Sequence, residues 1–262
     1  MNDTPATPAP TLTYVYAVTA PVPGLGEVLA GLEGVAGAPV TLLSSSGPVS
    51  FTVSDVPRAD FDEEALKARF EDLRWLEVTA RAHHRVIEVL ASQTTVLPLR
   101  MATLYQDPAS ALDALRAQSG AFAAQLARLS GHAEYGVKIY VRPADRPPAE
   151  PAPAASSPGK AYLAARRAQH HAHEDHYRQA QLATERIADL ARRHTAGLVR
   201  HPAQSGPLAA SATEENVLND AYLVADPQAD AFRAAVTGAA QDLPGIRIEV
   251  TGPWAPYSFA AP

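Results

Sequence analysis

No cysteine occurs anywhere in the 262 residues. That absence excludes disulfides, thiolate nucleophiles and cysteine-based zinc or iron–sulfur centres. No apolar run approaches the roughly 18 residues that a membrane-spanning helix needs. Positive charge is also short: 22 basic residues stand against 28 acidic ones, a net charge of -6, so no overall field draws the chain to nucleic acid or anionic lipid. The opening ten residues have neither the basic start nor the apolar stretch of a signal peptide. A cytoplasmic protein is the expectation. Aromatic residues are scarce, at 6%, which makes any concentration of them informative.

Such a concentration sits at residues 254–259, where Trp254, Tyr257 and Phe259 follow the alternating strand pattern of residues 246–250. Pro253 and Pro256 exclude a helix there. A segment this apolar either docks on its own chain or awaits a partner, and docking of Trp254, Tyr257 and Phe259 near a domain junction is expected, with Trp254→Ala costing about 3 kcal/mol or more.

Taken in order, residues 1–10 read as a disordered arm and residues 12–18 as a β-branched and aromatic strand. A short helix at 27–32 and a hairpin of 40–43 with 49–53 follow. Asp60 or Asp62 starts a helical region to about Ala91, with Leu73, Leu76, Ala80, His83, Ile87 and Leu90 as one apolar stripe. Residues 94–99 are extended, with Pro98 marking an edge position. Asp107 and Pro108 open a helix to about Ser130.

Residues 132–141 alternate as a strand, and 142–158 form a Pro- and Ala-rich loop expected to be mobile. The longest helix runs from Gly159 to about Leu198 with Leu182, Ile187, Leu190, His194 and Leu198 on one side, followed by strand-like pieces at 206–212 and 216–225, a helix from Asp226, and the strand after Gly245. Strand, helix, strand, strand, helix, strand is the βαββαβ order of a ferredoxin-like fold. The expected class is therefore α+β: an N-terminal mixed α+β domain at 11–130, a ferredoxin-like domain at 131–252, and an aromatic tail at 253–262.

Catalytic constellations are hard to find. His170, His173, Glu174 and His176 have helical spacing that could hold a metal, but the order is not the HExxH of metalloproteases, and a solvated helix face is the plainer reading. His83 falls on the apolar stripe, where a hydrogen-bonded core histidine is the commoner outcome. Gly24 and Gly26 follow a strand, yet Leu29 stands where a dinucleotide fingerprint needs its third glycine. Gly159-Lys160 lacks the earlier P-loop glycine, since position 154 is alanine. No cofactor is expected. A His-cluster metal enzyme or sensor and a ferredoxin-like small-ligand module stay open as alternatives.

Several segments together resemble the gas vesicle accessory protein F/L family (GvpL/GvpF). They are Tyr14-Val15-Tyr16, the stretch Leu97-Pro98-Leu99-Arg100-Met101-Ala102-Thr103, Glu134 with Gly136-Val137-Lys138, Gly159-Lys160-Ala161-Tyr162-Leu163, Asn219-Asp220-Ala221-Tyr222, and the terminal Gly252-Pro253-Trp254 with Tyr257-Ser258-Phe259. They lie in the family's order across residues 12–259. Met101-Ala102 depart from it, standing where the family usually has Phe-Gly.

The resemblance implies a modified ferredoxin-like second domain and a non-enzymatic cytoplasmic protein of gas vesicle assembly. Its partners would be the small hydrophobic shell protein and other accessory proteins, and the protein a minor vesicle component. An assembly factor for an apolar subunit needs accepting sheet edges or exposed apolar surface. Tyr14, Tyr16, Leu97, Leu99 and Arg100 are the candidates for shell-protein binding.

Overall fold

The computed structural model describes residues 9–142, 158–203 and 214–260. They form two compact units: one runs to Gly131 and takes in the segment from Trp254, and the other is His132–Pro253. The expected strand at 206–212, the loop at 143–157 and the arm at 1–8 lie outside the described residues.

The first unit is built on a four-stranded sheet of order β2-β3-β1-β4, made of β1 (Thr11–Thr19), β2 (Thr41–Ser44), β3 (Ser50–Pro57) and β4 (Val96–Tyr105). β1 pairs antiparallel with both β3 and β4, and β2 closes the hairpin onto β3 with Ser44 opposite Ser50. A short α1 (Leu25–Leu29) and a 3-10 turn (Val35–Gly37) bridge β1 to β2.

The helical region after β3 is three helices rather than one: α2 (Arg58–Phe61), α3 (Glu63–Arg69) and α4 (Leu73–Ala91). Two acidic caps make the breaks. The Asp62 carboxylate accepts from the Ala65 amide, and Asp72 accepts from the amides of Arg74 and Trp75. The apolar stripe is correspondingly shorter than its spacing predicts. Thr79, His83, Val86, Ile87 and Leu90 are buried, whereas Leu73, in the first turn of α4, is 74% exposed.

α5 (Pro108–Leu129) begins at a capping box in which Asp107 and Ser110 satisfy each other's backbone amides, with proline at the first helical position. α4 and α5 cover opposite faces of the sheet. Tyr14 and Leu12 of β1 pair with Ser54 and Val56 of β3 on the side where Tyr14 meets His83 of α4. Phe51 of β3 packs edge-on against Phe122 of α5 on the other. A central strand covered on both faces has no solvent side, which is why β1 is buried along almost its whole length.

The second unit has the expected βαββαβ order: β5 (His132–Val141), α6 (Pro158–His194), β6 (Thr195–Arg200), β7 (Glu215–Ala225), α7 (Ala229–Gly238) and β8 (Ile246–Trp254). Its sheet order β6-β7-β5-β8 is that of a ferredoxin-like fold, with β7 antiparallel to both β5 and β6. The fold class is α+β.

Two details differ from the sequence reading. The long helix ends at His194, and residues 195–200 are a strand, because their burial alternates residue by residue and Gly197 is a poor helix residue. Among the described residues of α6 the buried ones are Ala180, Ala183, Ile187 and Ala191, while Leu182 is exposed. Small residues let the helix approach the layer of Tyr135, Val137, Ile139, Tyr222 and Phe232 closely. Arg186 of α6 donates to both oxygens of Asp242, at 2.5 and 2.9 Å, and to the Ala239 carbonyl, which ties α6 to the end of α7.

Candidate functional site

The stretch Leu97-Pro98-Leu99-Arg100-Met101-Ala102-Thr103 lies on β4, an outer strand of the first sheet. Pairing with β1 runs regularly to Pro98 opposite Ala17 and resumes at Thr103 opposite Val15, so residues 99–102 stand against Tyr16 alone. This wide bulge pushes Leu99, Arg100 and Met101 outward: Arg100 is exposed and Leu99 and Met101 are partly so. Inside the bulge, Ala102 adopts φ 61, a left-handed conformation that glycine takes freely and alanine does not.

A buried polar pair supports the bulge from below. The Ala102 amide donates to the Tyr14 hydroxyl at 3.0 Å, and that hydroxyl shares a second hydrogen bond with His83 Nδ1 at 2.9 Å. Burial pushes the Tyr14 phenol upward, and it pushes His83 down to about 4 against a smaller opposing contribution from the Leu99 backbone. Both groups are neutral at physiological pH. Tyr16, next along the face, accepts from the Val35 amide and donates to Ser54 Oγ, which donates in turn to the Pro39 carbonyl.

Of the five candidate shell-binding residues, the structure therefore separates two kinds. Tyr14, Tyr16 and Leu97 are 0% exposed: the tyrosines because β1 is flanked by β3 and β4 and roofed by a helix on each face, and Leu97 as a buried residue of β4 paired with Val18. They are core residues, and β1 cannot accept another strand. Leu99 and Arg100 sit on the outer strand at the bulge, Arg100 exposed and Leu99 partly so.

The tail belongs with this unit. The chain turns out of β8 at Gly252, whose φ of 115 requires glycine and where a Cβ would stand 2.7 Å from the Glu134 carbonyl oxygen. Trp254, Tyr257 and Phe259 then differ sharply in burial, at 42%, 36% and 7% exposed. Phe259 is the anchor, and its carbonyl accepts from Arg128 of α5 at 2.8 Å. Ala255 packs against the first core. Tyr257 shares a hydrogen bond with His84 Nδ1 at 3.0 Å, and the rings of Trp254 and Tyr257 both lie 5.9 Å from the His84 ring. Trp254 is thus a half-open surface ring rather than a filled pocket. His84 and Arg128 carry no sequence signal of this role.

Among the described residues, the histidine cluster on α6 does not converge. Glu174 makes exposed contacts with His170 at 3.5 Å and His171 at 3.4 Å, whereas His176 is turned to the Arg142 carbonyl at 2.8 Å. The side chain of His173 lies outside the described residues. Among the described residues no three histidine, aspartate or glutamate side chains are grouped to hold a metal ion. The strongest polar cluster of the second unit is Arg247, which bonds Glu214 and Glu249 and lies 4.0 Å over the Tyr140 ring, with Arg142 also on Glu214. Its charges satisfy one another, as in a structural ion network. Among the described residues no helix is long and apolar enough to cross a membrane.

Comparison with known proteins agrees with this architecture. A family model described as gas vesicle synthesis protein GvpL/GvpF matches residues 12–261. The chain is 40% identical to gas vesicle protein L of Streptomyces sp. (strain CB03234) over 253 residues, which cover 95% of this chain and 92% of that protein. Two solved structures share the fold. The crystal structure of gas vesicle protein GvpF from Anabaena sp. PCC7120 matches with a TM-score of 0.64 at 16% identity, covering 96% of each chain. That of GvpF from Microcystis aeruginosa matches with a TM-score of 0.61 at 20% identity, covering 95% of this chain and 99% of the other. Matched across nearly its whole length, the chain belongs to the GvpL/GvpF family of gas vesicle synthesis proteins.

Proposed function

We propose that this protein is a non-enzymatic assembly factor that binds the small apolar shell subunit, together with other accessory proteins, while gas vesicles nucleate or grow in the cytoplasm. The observation that carries this reading is the family match over residues 12–261. The physical support lies in the first unit. Leu99 and Arg100 project from a bulge on an outer strand, and strand addition at sheet edges is a common way to hold an extended, aggregation-prone segment. Phe70 and Val78 add exposed apolar surface on the α3–α4 side of the same unit.

Capture of the shell protein by the immobilised full-length chain tests this. Retention by the wild type, weakened by Leu99→Glu and Arg100→Glu, is the expected result. No retention by the wild type overturns the shell-binding reading. The full-length chain is the right bait, because residues 1–130 alone lack the tail segment that completes the first unit.

A further inference from the structure

The outer strand that offers the candidate docking edge is met by the chain's own tail. α4 covers one face of the sheet and α5 the other, and β4 lies at its border. Residues 254–259 touch all three elements. Tyr257 bonds His84 of α4, the Phe259 carbonyl accepts from Arg128 of α5, and the 3-10 turn Tyr257–Phe259 packs on β4. A segment that meets both covering helices and the border strand is placed to cover part of that strand's open side.

Closure of this kind is one of the ways proteins blunt an edge that would otherwise pair with another chain. Here part of the fastening is exposed. One ring of the tail is buried, two are more than a third exposed, and the His84–Tyr257 hydrogen bond is open to water. Elements held partly by solvent-exposed contacts can open at a free energy below that of global unfolding.

We propose that residues 254–259 form a displaceable strap over the β4 edge, which gives way to an extended apolar segment of the shell subunit. The inference rests on the shell-binding reading above and adds its regulation: the free protein is closed, and the partner must outcompete the tail. The tail also defines what the edge accepts. The incoming segment supplies an apolar side chain in place of Phe259 and a backbone carbonyl for Arg128.

Two full-length variants test it. In the first, Tyr257→Phe with Arg128→Gln removes the hydrogen bonds to His84 and from Arg128 and leaves Phe259 seated. In the second, His84→Cys with Tyr257→Cys is joined by a short bifunctional maleimide, a reaction free of competing thiols because the chain has no cysteine. Hydrogen exchange of the β4 amides should quicken at least about fivefold in the loosened variant, the factor for losing a hydrogen bond of ordinary net strength, and slow in the locked one. Shell-protein capture should rise in the first and fall in the second relative to its unjoined form. A melting curve confirms that the loosened variant folds, and the locked variant gives an independent reading if it does not. Equal capture by locked and unjoined forms overturns the strap. Absence of capture in every form, wild type included, overturns shell binding instead, and unchanged β4 exchange in that case overturns the strap as well.

Discussion

Ala102 gives its backbone amide to the Tyr14 hydroxyl at 3.0 Å while held at φ 61. The hydrogen bond joins the outer-strand bulge to the buried centre of the first unit, and it fixes a backbone conformation that a Cβ resists. At Met101-Ala102 the family resemblance leads one to expect Phe-Gly, and the positive φ of Ala102 is a conformation that glycine adopts more readily. Ala102→Gly should stabilise the protein by up to about 1 kcal/mol, the relief of left-handed strain less the extra freedom of glycine in the unfolded chain. Urea unfolding measures this, and a loss of stability would show that the strain is absorbed elsewhere.

Acid should weaken the fold through His83. The folded protein keeps this ring neutral down to about pH 4, while the unfolded chain takes up its proton near 6.5. The unfolded state therefore gains protons first, and stability falls as pH drops from about 6.5 to 4, by roughly 3 kcal/mol in all from this group. His83→Gln should flatten that part of the profile, whatever it costs at neutral pH. A variant with the wild-type slope between pH 6.5 and 4 would remove His83 as its source.

The tail aromatics should rank by burial. Phe259→Ala, which empties an enclosed site, is expected to cost about 3 kcal/mol or more. Trp254→Ala should cost about 2 kcal/mol, less than its size suggests, because the ring is half open and its removal leaves no cavity. Denaturant midpoints at unchanged m-value decide between them. An effect of Trp254→Ala equal to or above that of Phe259→Ala would contradict the ranking.

Arg100→Glu separates binding from folding. The side chain is exposed on the bulge, so the melting temperature should shift by no more than the equivalent of about 0.5 kcal/mol. Shell-protein capture should fall severalfold if Arg100 contributes to docking. Unchanged capture would move the contact away from the bulge.

The class and most elements of this fold are legible in the sequence because they rest on local signals. β5 alternates cleanly, and Asp107-Pro108 announces α5 through its own cap. β6 is not, because Leu198 continues the helical spacing of Leu190 and His194 while belonging to a strand that needs β7 to form. The core of α6 is missed for a related reason: its buried residues are mostly alanines, which carry little periodic signal. The central place of β1 depends on sheet order, a non-local property, so Tyr14 and Tyr16 read equally well as edge or core. Aromatic density draws attention to the tail, but the residues that bond it stand 173 and 131 positions away, at His84 and Arg128.

The chain leaves the first unit at Gly131 and returns to it only at Trp254. On the ribosome, that unit stays incomplete until all of His132–Pro253 has been made, however early its own sheet can form. During this interval the Phe259 site is empty and the β4 border uncovered. A nascent chain is therefore open to the same encounter that the finished one resists, and the order of synthesis sets a window for early partners and for mispairing alike.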